Sequence, residues 1–298
     1  MLIIHSRHSK IEPKNSMKLF IIGASGYIGK LLYEKGTAEF TCYGTSSLGI
    51  SGLLSYRLGG SIDFNYELIS AGDTVLLTAA VSAPDVCAHE FKRAWAVNVT
   101  AANEFIAHAF ARGARVVFFS SDSVYGSRDT SFSEIAESRP TGEYAVMKSE
   151  VEKRFAGNSL FKSIRLSYVF SRDDRFTKYL SDCAARDEEA EVYHPFCRSI
   201  IHRDDVVDGV LALARRWNEF PQQVINFGGP AVLSRIEFAD CLIKIALPHL
   251  KYRVTEPGAD FFKNRPRVIA MTSDVLPKLL QRSCRSLFEA VQIEFGKD

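Results

Sequence analysis

One stretch restricts the fold of this chain more than any other. The apolar run Leu19–Ile22 leads straight into Gly23-Ala24-Ser25-Gly26-Tyr27-Ile28-Gly29, and Tyr27–Lys35 then has helical spacing. In a strand–turn–helix unit of this kind, Gly23 permits the tight turn and Gly26 lets backbone approach a pyrophosphate. Gly29 lets the helix lie close to the strand. The helix N-terminus adds free N–H groups and a partial positive charge. The spacing is G-x-x-G-x-x-G rather than G-x-G-x-x-G, so a glycine-rich turn without a ligand is the plain alternative.

The rest of the chain repeats the strand–helix alternation. Strands are expected at Phe40–Gly44, Thr74–Thr78, Arg115–Ser120 and Lys162–Val169, with helices at Phe91–Arg112 and Tyr144–Phe155. Strands apolar on both faces and separated by helices predict an α/β fold, a Rossmann-like doubly wound parallel sheet. Beyond Phe170 the alternation loosens. A polar segment, 171–198, precedes a strand at Ser199–Ile201, a helix at Val206–Arg216, a strand at Gln223–Asn226 and a helix at Ser234–Ala246. Residues 247–270 read as irregular. This divides the chain into a dinucleotide-binding domain over 17–170, with return segments near 199–226, and a smaller C-terminal substrate lobe over 171–298.

Charge and cysteine usage narrow the partners. The formal charge of the 298 residues is +2, and all of it sits in residues 1–16, where Arg7, Lys10 and Lys14 face Glu12. That segment holds no structural period and is expected to be a flexible extension. A neutral body gives no electrostatic case for nucleic acid or an anionic membrane. No apolar run reaches the length of a membrane span. The six cysteines are scattered without a C-x-x-C pair, which argues against a disulfide framework and fits a reducing, cytoplasmic setting. No His, Cys, Asp or Glu cluster has metal-ligand spacing, so no metal is expected.

The end of the second strand bears on the cofactor. An NAD site usually places an acid there for the ribose 2′-OH. This chain has Tyr43-Gly44-Thr45-Ser46-Ser47. A 2′-phosphate is then not repelled, Ser46 and Ser47 could bond to it, and Lys30 or Arg57 could add charge. NADP(H) is favoured over NAD(H). If the two serines are ordinary turn residues, either cofactor would be accepted.

Downstream, the strand Val116–Phe119 ends in Ser120-Ser121-Asp122-Ser123-Val124-Tyr125-Gly126, and Tyr144-Ala145-Val146-Met147-Lys148 lies on a helix. Positions i and i+4 share a helix face, so Tyr144 and Lys148 can converge. A nearby ammonium is expected to lower the phenol pKa and make Tyr144 a usable acid or base. Ser121, at the carboxyl end of a parallel strand, could hold a substrate oxygen.

With these motifs in order, the chain resembles the extended short-chain dehydrogenases/reductases, the NAD(P)-dependent group of sugar-nucleotide epimerases, dehydratases and reductases. The resemblance spans 17–298. It rests on the glycine loop, Asp63-Phe64, Leu77-Thr78-Ala79-Ala80, Asn98-Val99, SSDSVYG, YAVMK, the run from Arg198 through His202 to Asp205, and Asn264-Arg265-Pro266. It implies that Gly23, Ser25, Gly26, Tyr27, Ile28 and Gly29 hold the cofactor pyrophosphate. It places Asp63, beside Phe64, at the adenine amino group. Thr78, Ala79, Ala80 and Asn98 would belong to the cofactor side. Ser121, Tyr144 and Lys148 would be the catalytic trio, with Lys148 also on the nicotinamide ribose. Ser121, Asp122 and Ser123 would face substrate, and Arg198 and Arg265 would bind the diphosphate of a nucleotide sugar. The bland reading of Arg198 is a surface pair with Asp204 or Asp205.

Departures sharpen the function. Leu77 stands where the family often has histidine, and Ala145 where glycine is common. Dehydratases of the family follow their serine position with an Asp-Glu pair. This chain has Asp122-Ser123, which keeps the acid without the base, as in dTDP-4-dehydrorhamnose-type reductases. The expectation is NADPH-dependent reduction of a nucleotide-linked 4-keto (6-deoxy) sugar. The runner-up is a sugar-nucleotide 4-epimerase with tightly bound NAD. A non-catalytic dinucleotide-sensing subunit, from another functional class, stands third because Tyr144 and Lys148 are retained. A homodimer is expected through helices near 91–112 and 144–155.

Overall fold

The computed structural model describes residues 17–128 and 130–296, so the expected extension over 1–16 lies outside the described residues. The first half runs β1 (Lys18–Ile22), α1 (Tyr27–Gly36), β2 (Thr41–Ser46), β3 (Leu54–Ser55), β4 (Thr74–Leu77), α2 (Pro84–His89), α3 (Phe91–Trp95), α4 (Ala102–Ala111), β5 (Arg115–Ser121), α5 (Glu143–Arg154) and β6 (Phe161–Leu166). The second half runs β7 (Val169–Phe170), α6 (Arg175–Ala185), β8 (Glu189–Tyr193), β9 (Cys197–Ser199), β10 (Ile201–His202), α7 (Arg203–Arg215) and β11 (Val224–Phe227). It ends with β12 (Val232–Ser234), α8 (Arg235–Ile245), β13 (Lys251–Thr255), α9 (Ala259–Lys263), β14 (Val268–Ile269), α10 (Leu276–Leu280) and α11 (Leu287–Phe295).

Seven strands form one sheet in the order β3-β2-β1-β4-β5-β6-β11, and all its pairs are parallel. The fold is therefore the Rossmann-like α/β sheet. Strand order reverses between β1 and β4, and the carboxyl ends there open a crevice.

Alternation along β1 divides the core. Leu19 and Ile21 point to one face, where Val206, Val210 and Leu213 of α7 pack with Leu32 of α1. Phe20 and Ile22 point to the other, against Phe105, Ile106 and Ala109 of α4. A third cluster, with Phe170, Phe176, Leu180, Val192, Phe238 and Val291, holds the C-terminal elements together.

Three expectations need correction. The helix over 91–112 is not continuous. A π-helical turn at Ala96–Ala101 separates α3 from α4, and it carries the buried Asn98. The Asn98 amide accepts from Val81 N–H at 2.8 Å and donates to Val81 O at 2.9 Å, so the widened turn places a clamp on the segment after β4. The strand expected over 162–169 stops at Leu166, and the chain then leaves the sheet to pair Val169–Phe170 with β10. Residues 247–270 contain two strands and a helix. Strand β13 pairs in parallel with β8 along its whole length, but most of its side chains are solvated, so no apolar alternation announces it.

A buried ion pair fixes helix α5 to the sheet. Arg165 Nη2 donates to Glu152 Oε2 at 2.6 Å, and Arg165 Nε and Ser163 Oγ donate to Oε1 at 3.1 and 2.7 Å. The Arg165 guanidinium also lies 4.5 Å from the centre of the Tyr125 ring, whose hydroxyl donates to Asn226 Oδ1 of β11 at 2.7 Å. Glu152→Ala would leave the Arg165 charge buried and unpaired. It is expected to lower the unfolding free energy by about 3–5 kcal/mol. Urea titration with unchanged slope checks this, and a loss below about 1 kcal/mol would contradict it.

Candidate active site

The turn after β1 shows why its glycines are needed. Gly23 has φ +99°, and a Cβ there would lie 2.8 Å from Thr78 Oγ1. A Cβ on Gly29 would lie 2.2 Å from the Gly23 carbonyl oxygen. Gly26 caps α1 without any side-chain hydrogen bond, and the first turn of α1 holds no acid. Its N–H groups are left to an external acceptor. Two neighbouring strands hold the turn. Thr45 Oγ1 accepts from Gly23 N–H at 3.0 Å, and Ala79 N–H and Thr78 Oγ1 each donate to Ile22 O at 2.8 Å.

A cleft of about 600 Å³ opens at this point. Gly23, Ser25, Gly26, Tyr27, Ile28 and Gly29 form one wall, Thr78, Ala79 and Ala80 lie along the end of β4, and Ser46 and Ser47 lie at the end of β2. Tyr144 and Lys148 also line it. Arg57, exposed on the segment after β3, faces the same cleft near the two serines. The cradle therefore fits a dinucleotide: close backbone, free helix N–H groups and hydroxyls without a carboxylate.

Other candidate residues lie outside the cleft wall. Phe64 is buried, with its ring centroid 5.1 Å from Phe105 and 6.3 Å from Phe20, while Asp63 is exposed. Asn98 is the clamp on Val81. Ser121, Asp122 and Ser123 form a tight turn in which Ser121 Oγ sits 2.9 Å from Ser123 Oγ and 3.3 Å from Asp122 Oδ1. Asp122 is buried and accepts from Ser167 Oγ at 3.0 Å. Burial pushes its carboxyl upward, opposed by Arg198 and by hydrogen bonds.

Neither arginine presents a free guanidinium. Arg198 donates to the carbonyls of Cys197, Pro266 and Arg267 at 2.7, 2.7 and 3.2 Å, and its Nε is 3.5 Å from Asp122. The alternative pairing with Asp204 or Asp205 does not occur. Asp205 is taken by Arg282 and Arg285, and Lys35 lies 3.5 Å from Asp204. Arg265 makes a two-pronged pair with Asp85 at 2.7 and 2.6 Å.

Tyr144 and Lys148 do converge on one face of α5, with Lys148 Nζ 5.6 Å from the Tyr144 ring centre. The electrostatics are not those expected from the sequence. Burial raises the Tyr144 phenol, and the neighbouring Cys87 and Asp122 push it the same way. Lys148 does not offset this, because its ammonium donates to Phe119 O at 2.7 Å and is itself buried. Burial holds Lys148 down to about 8. Without ligand, Tyr144 is thus a protonated phenol at neutral pH, suited to give a proton.

Two groups escaped the sequence reading. Thr45 pins the glycine turn, and its only signal was its place among three hydroxyl residues. The Ser120 hydroxyl lines the cleft, buried and without a hydrogen-bond partner. Ser120 was hidden by its neighbour Ser121, which drew the catalytic reading.

Solved structures share this fold. MoeE5 in complex with UDP-glucose and NAD is 20% identical with TM-score 0.77, covering 92% of this chain and 97% of that one. A mutant UDP-glucuronic acid 4-epimerase from Bacillus cereus, bound to NAD and a fluorinated sugar nucleotide, is 18% identical with TM-score 0.80, covering 93% and 98%. A dTDP-4-dehydrorhamnose reductase from Clostridium acetobutylicum is 20% identical with TM-score 0.77, also covering 93% and 98%. At such identities the likeness carries the fold alone. No curated protein sequence matches. The family model of the RmlD substrate binding domain matches residues 17–295, nearly all of the described chain, and the chain belongs to that family.

Proposed function

We propose that this protein reduces the 4-keto group of a nucleotide-linked 6-deoxy sugar, using NADPH. The observation that carries the reading is the cleft itself: Tyr144 and Lys148 share it with a phosphate-binding glycine turn and with a β2 end free of carboxylate. The absence of an acid after Asp122 supports reduction over water elimination. The family supports sugar-nucleotide chemistry.

The dinucleotide, when bound, supplies a hydride to the keto carbon. Residues of the glycine loop would hold its pyrophosphate, and Lys148 its nicotinamide ribose. Tyr144, a protonated phenol, would give its proton to the oxygen as the carbonyl becomes an alcohol. Ser121, in the turn directly after the cleft-lining Ser120, would reach and orient that oxygen. The test is purified protein with NADPH and a panel of freshly prepared 4-keto sugar nucleotides. Substrate-dependent loss of nicotinamide absorbance is expected, and no loss with any member would count against the reading.

Preference for NADPH is assigned to Ser46, Ser47 and Arg57. Among the described residues Arg57 has no ion-pair partner, which leaves it available to a 2′-phosphate. Arg57→Ala is expected to raise KM for NADPH about tenfold and to leave KM for NADH nearly unchanged. Equal effects on the two cofactors would remove Arg57 from this role.

A 4-epimerase is the second reading, favoured by the bound NAD in the MoeE5 and Bacillus cereus structures. Denaturing the purified protein separates the two. Stoichiometric release of NAD would favour the epimerase.

A further inference from the structure

One wall of the C-terminal elements interleaves arginine with phenylalanine. Arg235 lies 4.0 Å from the Phe176 ring centre and 4.7 Å from that of Phe196, while Arg198 lies 4.3 Å from Phe196 on its own account. Arg265 lies over Phe261 at 4.7 Å and Arg267 over Phe262 at 4.0 Å. Phe196 touches both of those rings, with centroids 5.5 and 6.4 Å away, so the stacks are contiguous.

Three of the four guanidiniums are already occupied. Arg265 has Asp85, Arg267 has Glu256 at 3.1 Å, and Arg198 has three carbonyls and Asp122. Arg235 is different. Among the described residues it has neither a hydrogen bond nor an ion pair. Asp174, the acid that acts on it, is engaged elsewhere. Asp174 accepts from the backbone N–H groups of Phe176 and Thr177 at 2.9 and 3.1 Å and from the Tyr168 hydroxyl. Stacking between two rings offsets part of the desolvation of a cation. The guanidinium is half-buried, and its N–H groups are left open to an acceptor from outside.

Arg235 and Arg198 line one recess together with Tyr168, Phe176 and Phe196. It measures about 20 Å³, room for a single oxygen-sized group. Ile200, Leu233 and Phe238 complete its wall, so it is too small for a sugar or base ring and the two guanidiniums are its only charged groups. The recess adjoins the Ser121 turn, because Arg198 Nε lies 3.5 Å from Asp122 and Ser121 Oγ lies 3.3 Å from the same carboxylate.

We propose that Arg235 is a substrate-binding residue that takes a phosphate oxygen of the nucleotide-sugar diphosphate, with Phe176 and Phe196 holding its guanidinium in place. The inference rests on the nucleotide-sugar reading above. It moves the charge recognition expected of Arg198 to Arg235, and leaves Arg198 as the tie between β9 and the Pro266 segment.

The test is calorimetric titration of UDP, dTDP, GDP and CDP into wild type, Arg235→Met and Arg235→Lys, with NADPH binding measured alongside. Arg235→Met keeps an apolar stem between the rings, so it should fold. It is expected to weaken the preferred diphosphate about tenfold or more, with NADPH affinity unchanged, and Arg235→Lys should recover part of the loss. If Arg235→Met binds the diphosphate as tightly as wild type, Arg235 is only a packing residue and the inference falls alone. If wild type binds none of the four diphosphates while binding NADPH, the nucleotide-sugar reading falls and takes this inference with it.

Discussion

Tyr144→Phe is expected to lower kcat by about 10²–10⁴-fold on whichever 4-keto sugar nucleotide the protein reduces. Dinucleotide affinity should change by no more than about threefold, since the glycine turn, Ser46, Ser47 and Lys148 are untouched. The substitution removes one oxygen and keeps the ring, which packs against a buried cluster of Cys87, Ala94, Val99 and Met147. A large loss would therefore report chemistry and not collapse. Proton donation to the developing alkoxide explains the size. Burial keeps the Tyr144 phenol above its ordinary range, so it stays protonated through the neutral region.

The pH profile should carry a second signature. Burial lowers Lys148 to about 8 in the ligand-free protein. It is cationic below that pH and neutral above it. Dinucleotide affinity in wild type should hold steady up to about pH 8 and weaken beyond it, as the ammonium is lost. Single-turnover rates and cofactor titrations across pH 6–10 would read both. A Tyr144→Phe protein that kept more than half of wild-type turnover would exclude the phenol as the proton donor.

What could be read from the sequence was local, and what could not was made by distant contacts. The glycine spacing, the strands of the sheet and the i, i+4 pairing of Tyr144 with Lys148 all depend on residues within a few positions. The parallel sheet follows from apolar strands alternating with helices, but its two-residue edge strand β3 was not expected. The occupancy of Arg198 by three carbonyls needs Arg267 and Pro266 brought across from another strand, and no pattern around Arg198 signals that. Arg265 reaches Asp85 over 180 positions. The upward shift of Tyr144 came from the depth of its surroundings, which spacing does not encode. Strand β13 was invisible for a different reason: its side chains are mostly solvated, and what joins it to β8 beside the backbone is an ion pair of Arg253 with Glu191 across the strands, which no apolar alternation announces. The π-helical turn was hidden because one inserted residue barely disturbs helical periodicity, though it decides where Asn98 points.

Gly29→Ala should abolish measurable dinucleotide binding, with a loss of at least about 100-fold. The new Cβ would fall 2.2 Å from Gly23 O, 2.9 Å from Gly23 C and 3.1 Å from Thr78 Oγ1. The first two are backbone atoms that cannot rotate away. Relief requires the first turn of α1 to move off the β1 end by on the order of 1 Å, a displacement large enough to misplace a bound group a hundredfold in effect. The movement would break the geometry that aims the α1 N–H groups and would loosen Gly23 from Thr45. The rest of the sheet has no stake in this contact, so overpacking should cost about 1–3 kcal/mol and the protein should still fold. Isothermal titration with NADPH, beside circular dichroism, separates the two effects. A folded Gly29→Ala protein that bound NADPH as wild type does would mean that the pyrophosphate does not lie on this turn. The catalytic reading of Tyr144 would then lose the cofactor placement on which it depends.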